Sequence, residues 1–568
     1  MKKYLYFITV IGLFLLSNRK TAAQAELKGV INQNTTLTAD KSPYRVMGDV
    51  YVESGVTLTV ESGVDLIFWD YYSIFVSGEF KTAGTSSQMV RMYGQQVQGN
   101  TFVLWGGVIA QTVDAKITID YTELSNSEVA INYSRIQHSG TWTAPQLDIR
   151  NSRFNTNFTG IAGHPKGVTG TITGCFFTEN AIGFSGLTDS LAYISKALFM
   201  PAGAELENCT FSFNDIGASR ALKLSACRFE NNRKAAMMEG GQIRNTYFLN
   251  NDSGLVTHSS ITEDCRFDYN RLAYYHLPLN PPAGAFVGNI ILQTSSFRNN
   301  KRAVYMDTAS YIDAINCNRF ILNEMGLYLP AHFYTNSNTS ADSFKITMNT
   351  ITNCDTAIYI SGSKPSPPVA NPDSVIARFI TNRVENNNSY NFYNSSEYNF
   401  NLFKNYFGDS AAIEARLFDG TDDTTVGFVS YGIPASIQFA AGGYTVEMKR
   451  EVIKSSAGTV VNASSDSWFG QECVPLNVGI NRPSLSGLEY TIYPNPFSER
   501  INIQIPGEYA GEEITLKLYD ITGRMALEKN NDNSHDAEIQ LDTEMLPEGI
   551  YILTIQSGIN RLNFKLVK

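Results

Sequence analysis

The stretch Cys227-Arg228-Phe229-Glu230-Asn231-Asn232-Arg233-Lys234-Ala235 is followed by Thr246-Tyr247-Phe248-Leu249-Asn250-Asn251-Asp252-Ser253-Gly254 and then by Cys265-Arg266-Phe267-Asp268-Tyr269-Asn270-Arg271-Leu272-Ala273. In each, Asn comes three residues after Phe, and Gly or Ala three after Asn. The spacing continues in both directions. Phe154 leads to Asn157 and Gly160, Phe177 to Asn180 and Gly183, Phe211 to Asn214 and Gly217, Phe297 to Asn300 and Ala303, and Phe320 to Asn323 and Gly326. Eight units stepped by 18 to 34 residues are the pattern of short coils with insertions, a β-solenoid.

Each position has a physical role. Phe is expected on a strand, pointing inward; two residues earlier, on the same face, stand Ser152, Cys175, Cys209, Cys227, Thr246, Cys265 and Ser295. The column Asn157, Asn180, Asn214, Asn232, Asn251, Asn270, Asn300 and Asn323 is expected at a bend, with side-chain amides bonding from coil to coil. The small residue permits close backbone approach. This register places Cys175, Cys209, Cys227 and Cys265 in the core as small hydrophobes, with a Cys209–Cys227 bridge between neighbouring coils as the alternative. Cys354 takes the Asn slot of a degenerate coil, and Thr57-Leu58-Thr59-Val60 alternates as a half-buried strand. Asn405 to Gly408 and the acidic turn Asp419 to Asp423 close the array.

The 568 residues carry 17% charged side chains and a formal charge of −10, with no basic patch, which excludes nucleic acid as a partner. Lys2 and Lys3, the apolar run Tyr4 to Leu16 and Ala23-Gln24-Ala25 read as a secretory leader over 1–25. That run falls short of the roughly 20 residues a spanning helix needs, so no transmembrane segment is expected.

The Phe-x-x-Asn coils, with Val52-Glu53-Ser54-Gly55-Val56 recurring as Val60-Glu61-Ser62-Gly63-Val64, resemble right-handed parallel β-helix proteins of the pectate-lyase-like superfamily. The resemblance implies a β-helix over 26–435. It leaves function open, because that fold carries lyases, hydrolases, esterases, adhesins and inert shafts. Residues 436–488 read as a linker or helix-capping region.

Over 489–568, Ile501 to Ile505, Ile514 to Tyr519, Glu548 to Ile555 and Phe564 to Lys568 alternate as strands of a small β-sandwich. The entry Tyr493-Pro494-Asn495-Pro496, the strand Leu518-Tyr519-Asp520 with its Gly523-Arg524 turn, Gly549-Ile550-Tyr551 and the terminal Lys565-Leu566-Val567-Lys568 resemble the type A C-terminal sorting domain of the type IX secretion system of Bacteroidota. That resemblance implies the secretion machinery as partner, removal of the sorting domain, and a product anchored at the outer surface or released. The expected fold class is all-β: a right-handed parallel β-helix followed by a small Ig-like β-sandwich.

Chemistry is sparse. No catalytic set known from β-helix enzymes, nucleotide loop or zinc spacing occurs in the sequence, so no cofactor and no metal are expected. Asp422-Asp423 reads as a solvated turn. Offsets from the repeated Asn nominate one side: His164 and His258 lie seven residues after their Asn, His276 six and His332 nine, and Arg220, Glu239 and Asp307 fall at comparable offsets. Two long insertions, Tyr275 to Gly288 and Pro330 to Asp342 with Tyr334, leave from there. Aromatic rings beside polar groups suit sugars, and His or Arg beside a uronic acid suits a lyase. The leading expectation is a non-catalytic surface or secreted protein in adhesion or glycan contact, host glycan or polysaccharide. The alternatives are a polysaccharide lyase or glycoside hydrolase on that side, and an inert spacer.

Overall fold

The computed structural model describes residues 25–99, 101–136, 145–164, 168–186, 204–238, 240–276, 290–306, 314–334, 345–362, 374–376, 378–408, 413–431, 433–440, 443–452, 461–471, 491–493, 497–504, 514–520, 525–531, 538–557 and 560–568. The expected leader, apart from Ala25, lies outside these residues, as do Glu239, Asp307 and most of both long insertions. The chain divides into two compact units, 1–475 and 476–568.

The first unit is a parallel β-helix with three strands per coil. Lys223–Ser225, Arg228–Glu230 and Lys234–Met238 make one coil, and each pairs in parallel with its counterpart in the next. The first strands form a 14-stranded parallel sheet, and the second and third run in a 29-stranded one. These are the first, second and third faces. Strands alternate inward and outward, as in Thr57–Glu61, where Leu58 and Val60 are buried.

The repeated Phe lines the second face. All eight, Phe154 to Phe320, are fully buried and stack ring on ring, with centroids 4.6–5.2 Å apart and planes within 12° of parallel. Coil spacing sets that distance, so the rings form a continuous offset stack. The small residue after Asn has a steric cause. At Gly183 a Cβ would sit 2.5 Å from the Gly217 carbonyl oxygen and 3.0 Å from the Phe211 ring.

The Asn column is a saturated hydrogen-bond ladder. The Asn232 side-chain oxygen accepts the Asn214 backbone N–H at 2.9 Å and the Asn214 amide at 3.0 Å. In turn the Asn232 N–H and Nδ2 donate to Asn251 Oδ1, and Nδ2 also donates to the Phe211 carbonyl of the preceding coil at 2.9 Å. The pattern repeats from Asn157 to Asn323. At the degenerate coil, Asn323 Nδ2 contacts Cys354 Sγ at 3.9 Å, and the Cys354 N–H donates to Asn387 Oδ1. Cys354 therefore occupies the Asn slot.

The bend itself is made by the residue before each Asn. Asn231, Asn250, Tyr269 and Asn299 have φ of 52–58°, the left-handed region. A second left-handed residue per coil precedes the position two before Phe, as at Ala226 and Asn245. That second corner begins with Ser and Cys and changes to Asn. Asn318, Asn349, Asn382 and Asn405 form a second ladder with 2.8–3.1 Å bonds.

Cys175, Cys209, Cys227, Cys265 and Cys354 are buried and free, so no Cys209–Cys227 bridge forms. Cys227 Sγ donates to the Leu206 and Ser225 carbonyls, and burial pushes Cys265 up to about 12. Cys317 is disulfide-bonded.

Where sequence suggested a linker or cap after the helix, Ile433–Ala440, Gly443–Val452 and Val461–Gln471 form an antiparallel three-stranded sheet. The second unit has two antiparallel sheets. One holds Thr491–Tyr493, Arg500–Gln504 and Glu538–Asp542; the other holds Met525–Asn531, Ile514–Asp520, Ile550–Ser557 and Asn560–Val567. Phe497, Ile501, Leu516, Leu518 and Leu553 belong to their shared core.

Removing one rung tests the ladder. Asn232→Ala strands the Asn214 N–H and the Phe211 carbonyl in the interior, and each buried orphan costs about 1–3 kcal/mol. Urea unfolding followed by circular dichroism is expected to show a loss of about 2–4 kcal/mol, whereas Lys301→Ala, at an exposed position outside the ladder, stays within about 0.5 kcal/mol.

Candidate functional site

Among the described residues, those nominated by sequence do not gather on one surface. His164, His258 and His276 are buried at or just beyond the third-face strands. His164 Nε2 lies 3.2 Å from the Ile136 carbonyl. His276 is stacked in register with Thr257 on the neighbouring coil. Burial holds His276 neutral, lowering it to about 3; the nearby His258 adds to this, and a hydrogen bond to the His258 backbone only partly offsets it. Offsets of six and seven residues from the Asn reach inward positions, which is why counting alone misplaced these rings.

Arg220 is half-buried at φ 55°, and its N–H donates to the Met237 carbonyl at 2.8 Å. His332 and Tyr334 lie on the short strand His332–Tyr334, paired antiparallel with Ser374–Ile376. Asp422 and Asp423 sit in a capped turn. Asp419 accepts the Thr421 and Val429 N–H groups, and Asp423 accepts Thr425. Among the described residues no three His, Cys, Asp or Glu side chains gather as a metal site.

Tyr275 leads to what the sequence reading missed. It points outward from the third face and begins a column in strict register: Tyr275, Tyr305, Tyr328, Tyr359, Tyr393 and Phe418. All six rings are half-buried. Successive centroids lie 5.7, 4.5, 5.0, 5.0 and 4.2 Å apart. The Arg302 guanidinium lies over Tyr305, 4.8 Å from its centroid, a cation–π contact. At the far end Tyr390 packs edge-on to Tyr393 and Phe418. Burial raises the Tyr393 hydroxyl, helped by Tyr359, Tyr390 and the carboxylates of Asp423 and Asp422. The rings stack on one another's faces, so this ribbon offers ring edges and hydroxyls along the coil axis. The signal was present: from Tyr275 to Tyr359, each Tyr lies five residues after the residue in the Asn slot of its coil.

Buried His276 predicts a pH dependence. Between about pH 6.5 and 3 the unfolded chain binds a proton that the folded chain does not, so stability is complete above that window and falls as pH drops through it. The slope from this group is at most about 1.4 kcal/mol per pH unit. Denaturation midpoints for wild type and His276→Asn are expected to converge as pH falls through the window.

Residues 491–568 match the family described as the secretion system C-terminal sorting domain. No curated protein and no solved structure matches the chain. Among the described residues no helix is long and apolar enough to cross a membrane. The C-terminal unit is thus a type IX secretion sorting domain, and the protein is exported by that system to the outer-membrane surface or beyond it.

Proposed function

We propose that the solenoid is a non-catalytic shaft, displayed or released at the cell surface, that contacts neutral polysaccharide along its third face. The tyrosine ribbon carries this reading. Tyr combines a rigid apolar body with a polar tip, the composition of contact surfaces that must be stiff and hydrogen-bonding at once. A ribbon repeating at coil spacing matches a ligand that is itself a linear repeat. The carboxylates near Tyr393 disfavour uronic acids at that end. Buried, neutral His276 is unsuited to surface acid–base chemistry.

The test incubates the secreted protein with neutral and acidic polysaccharides, following retention and the release of reducing or unsaturated ends. Retention of a neutral polymer without cleavage is expected, with affinity about tenfold lower in Tyr359→Ala/Tyr393→Ala. Cleavage of any polymer would replace this reading with a lyase or hydrolase. No retention at all would leave an inert spacer.

A further inference from the structure

The corner between the second and third faces carries bulky, exposed side chains that packing of the core does not explain. Along its left-handed column Asn is the commonest residue, at Asn126, Asn231, Asn250, Asn299, Asn353 and Asn386 with φ of 52–60°, and Thr156, Glu179, Phe213 and Leu322 stand there too. Asn is among the residues that tolerate this region best. Tyr269 occupies the same column at φ 58° and, like Phe213 and Leu322, is exposed; of these three Tyr269 is the one that lines a groove. A bulky side chain there adds backbone strain and exposed apolar area and fills no core. Among the described residues the Tyr269 hydroxyl has no hydrogen-bond partner.

Facing it across the buried Asn270 runs a column of charge on successive coils: Asp252, Arg271, Lys301 and Glu324. Arg271 forks onto Asp252, with Nη2 3.2 Å from Oδ2. The Lys301 and Glu324 side chains have no ion pair or hydrogen bond among the described residues. Between the columns lies a shallow, open groove of about 420 Å³. The Asn251 and Asn270 amides that line it are locked in the ladder, so the floor is rigid.

We infer that this groove is a saccharide subsite for a neutral pyranose, with the sugar's C–H face against Tyr269 and its hydroxyls on the opposite wall. A hydroxyl both donates and accepts. The wall supplies both partners, the carboxylates of Asp252 and Glu324 and the cations of Arg271 and Lys301. Two positive and two negative groups leave the wall without net charge, which selects against uronic acids and sulfated sugars. The inference rests on the glycan-contact reading but not on the tyrosine ribbon.

Calorimetric titration of the secreted protein with cellohexaose, xylohexaose, mannohexaose and hexagalacturonate tests it. Tyr269→Asn installs the residue the column favours, so its thermal midpoint should be no lower than wild type. At least one neutral hexaose should bind wild type and bind Tyr269→Asn about tenfold more weakly. Glu324→Gln/Lys301→Met should weaken the same hexaose. If Tyr359→Ala/Tyr393→Ala abolishes binding and Tyr269→Asn leaves it unchanged, the subsite is refuted and the ribbon reading survives. If Tyr269→Asn weakens binding and the ribbon variant does not, the subsite stands and the ribbon reading falls. Absence of binding by any hexaose, or preference for hexagalacturonate, overturns the subsite.

Discussion

From Tyr121 to Asn386 each coil turns twice through a left-handed residue, and each turn leaves a backbone N–H facing the interior just after the bend. Along the first ladder the side-chain oxygen of the next coil's Asn accepts that N–H, and the same Asn passes the problem on to the coil after it. An unpaired buried N–H costs as much as a lost hydrogen bond, so the corner forms only when coils are stacked in register. The rest follows from that constraint. Stacked Phe rings share the spacing, and Gly or Ala is required where backbones meet.

The repeat was legible because the ladder forces the same residue into the same slot. Phe, Asn and the small residue could be read directly, and their register placed the cysteines in the core. The second ladder was not legible, because its slot passes from Ser and Cys to Asn partway along, and no single residue type marks it. The left-handed residue shows in the sequence as the Asn231-Asn232, Asn250-Asn251, Asn299-Asn300 and Asn386-Asn387 doublets, and other coils carry other residues there. The strands at 433–471 were hidden by a composition of small and polar residues that mimics a linker.

Function was harder to read for a related reason. Along a strand the side chain changes face from one residue to the next, so an offset must be known to the residue before it says which way a group points. Tyr275 points outward and His276, one residue later, points inward. Grouping them by proximity made a face of residues that the backbone separates. The repeated residues build the shaft, and what distinguishes one coil from another is carried outside it, in the tyrosine ribbon and the charged corner.

Hydrogen exchange at the bends tests the central claim most directly. The N–H groups of Asn180, Asn214, Asn232, Asn251 and Asn270 belong to turns, where exchange is ordinarily fast, yet each donates to a buried side-chain oxygen of the next coil. Protection matching that of the neighbouring Phe strands, and lost from Asn214 when Asn232 becomes Ala, is the predicted result. Fast exchange at these amides in the native protein would contradict a ladder that holds the coils together.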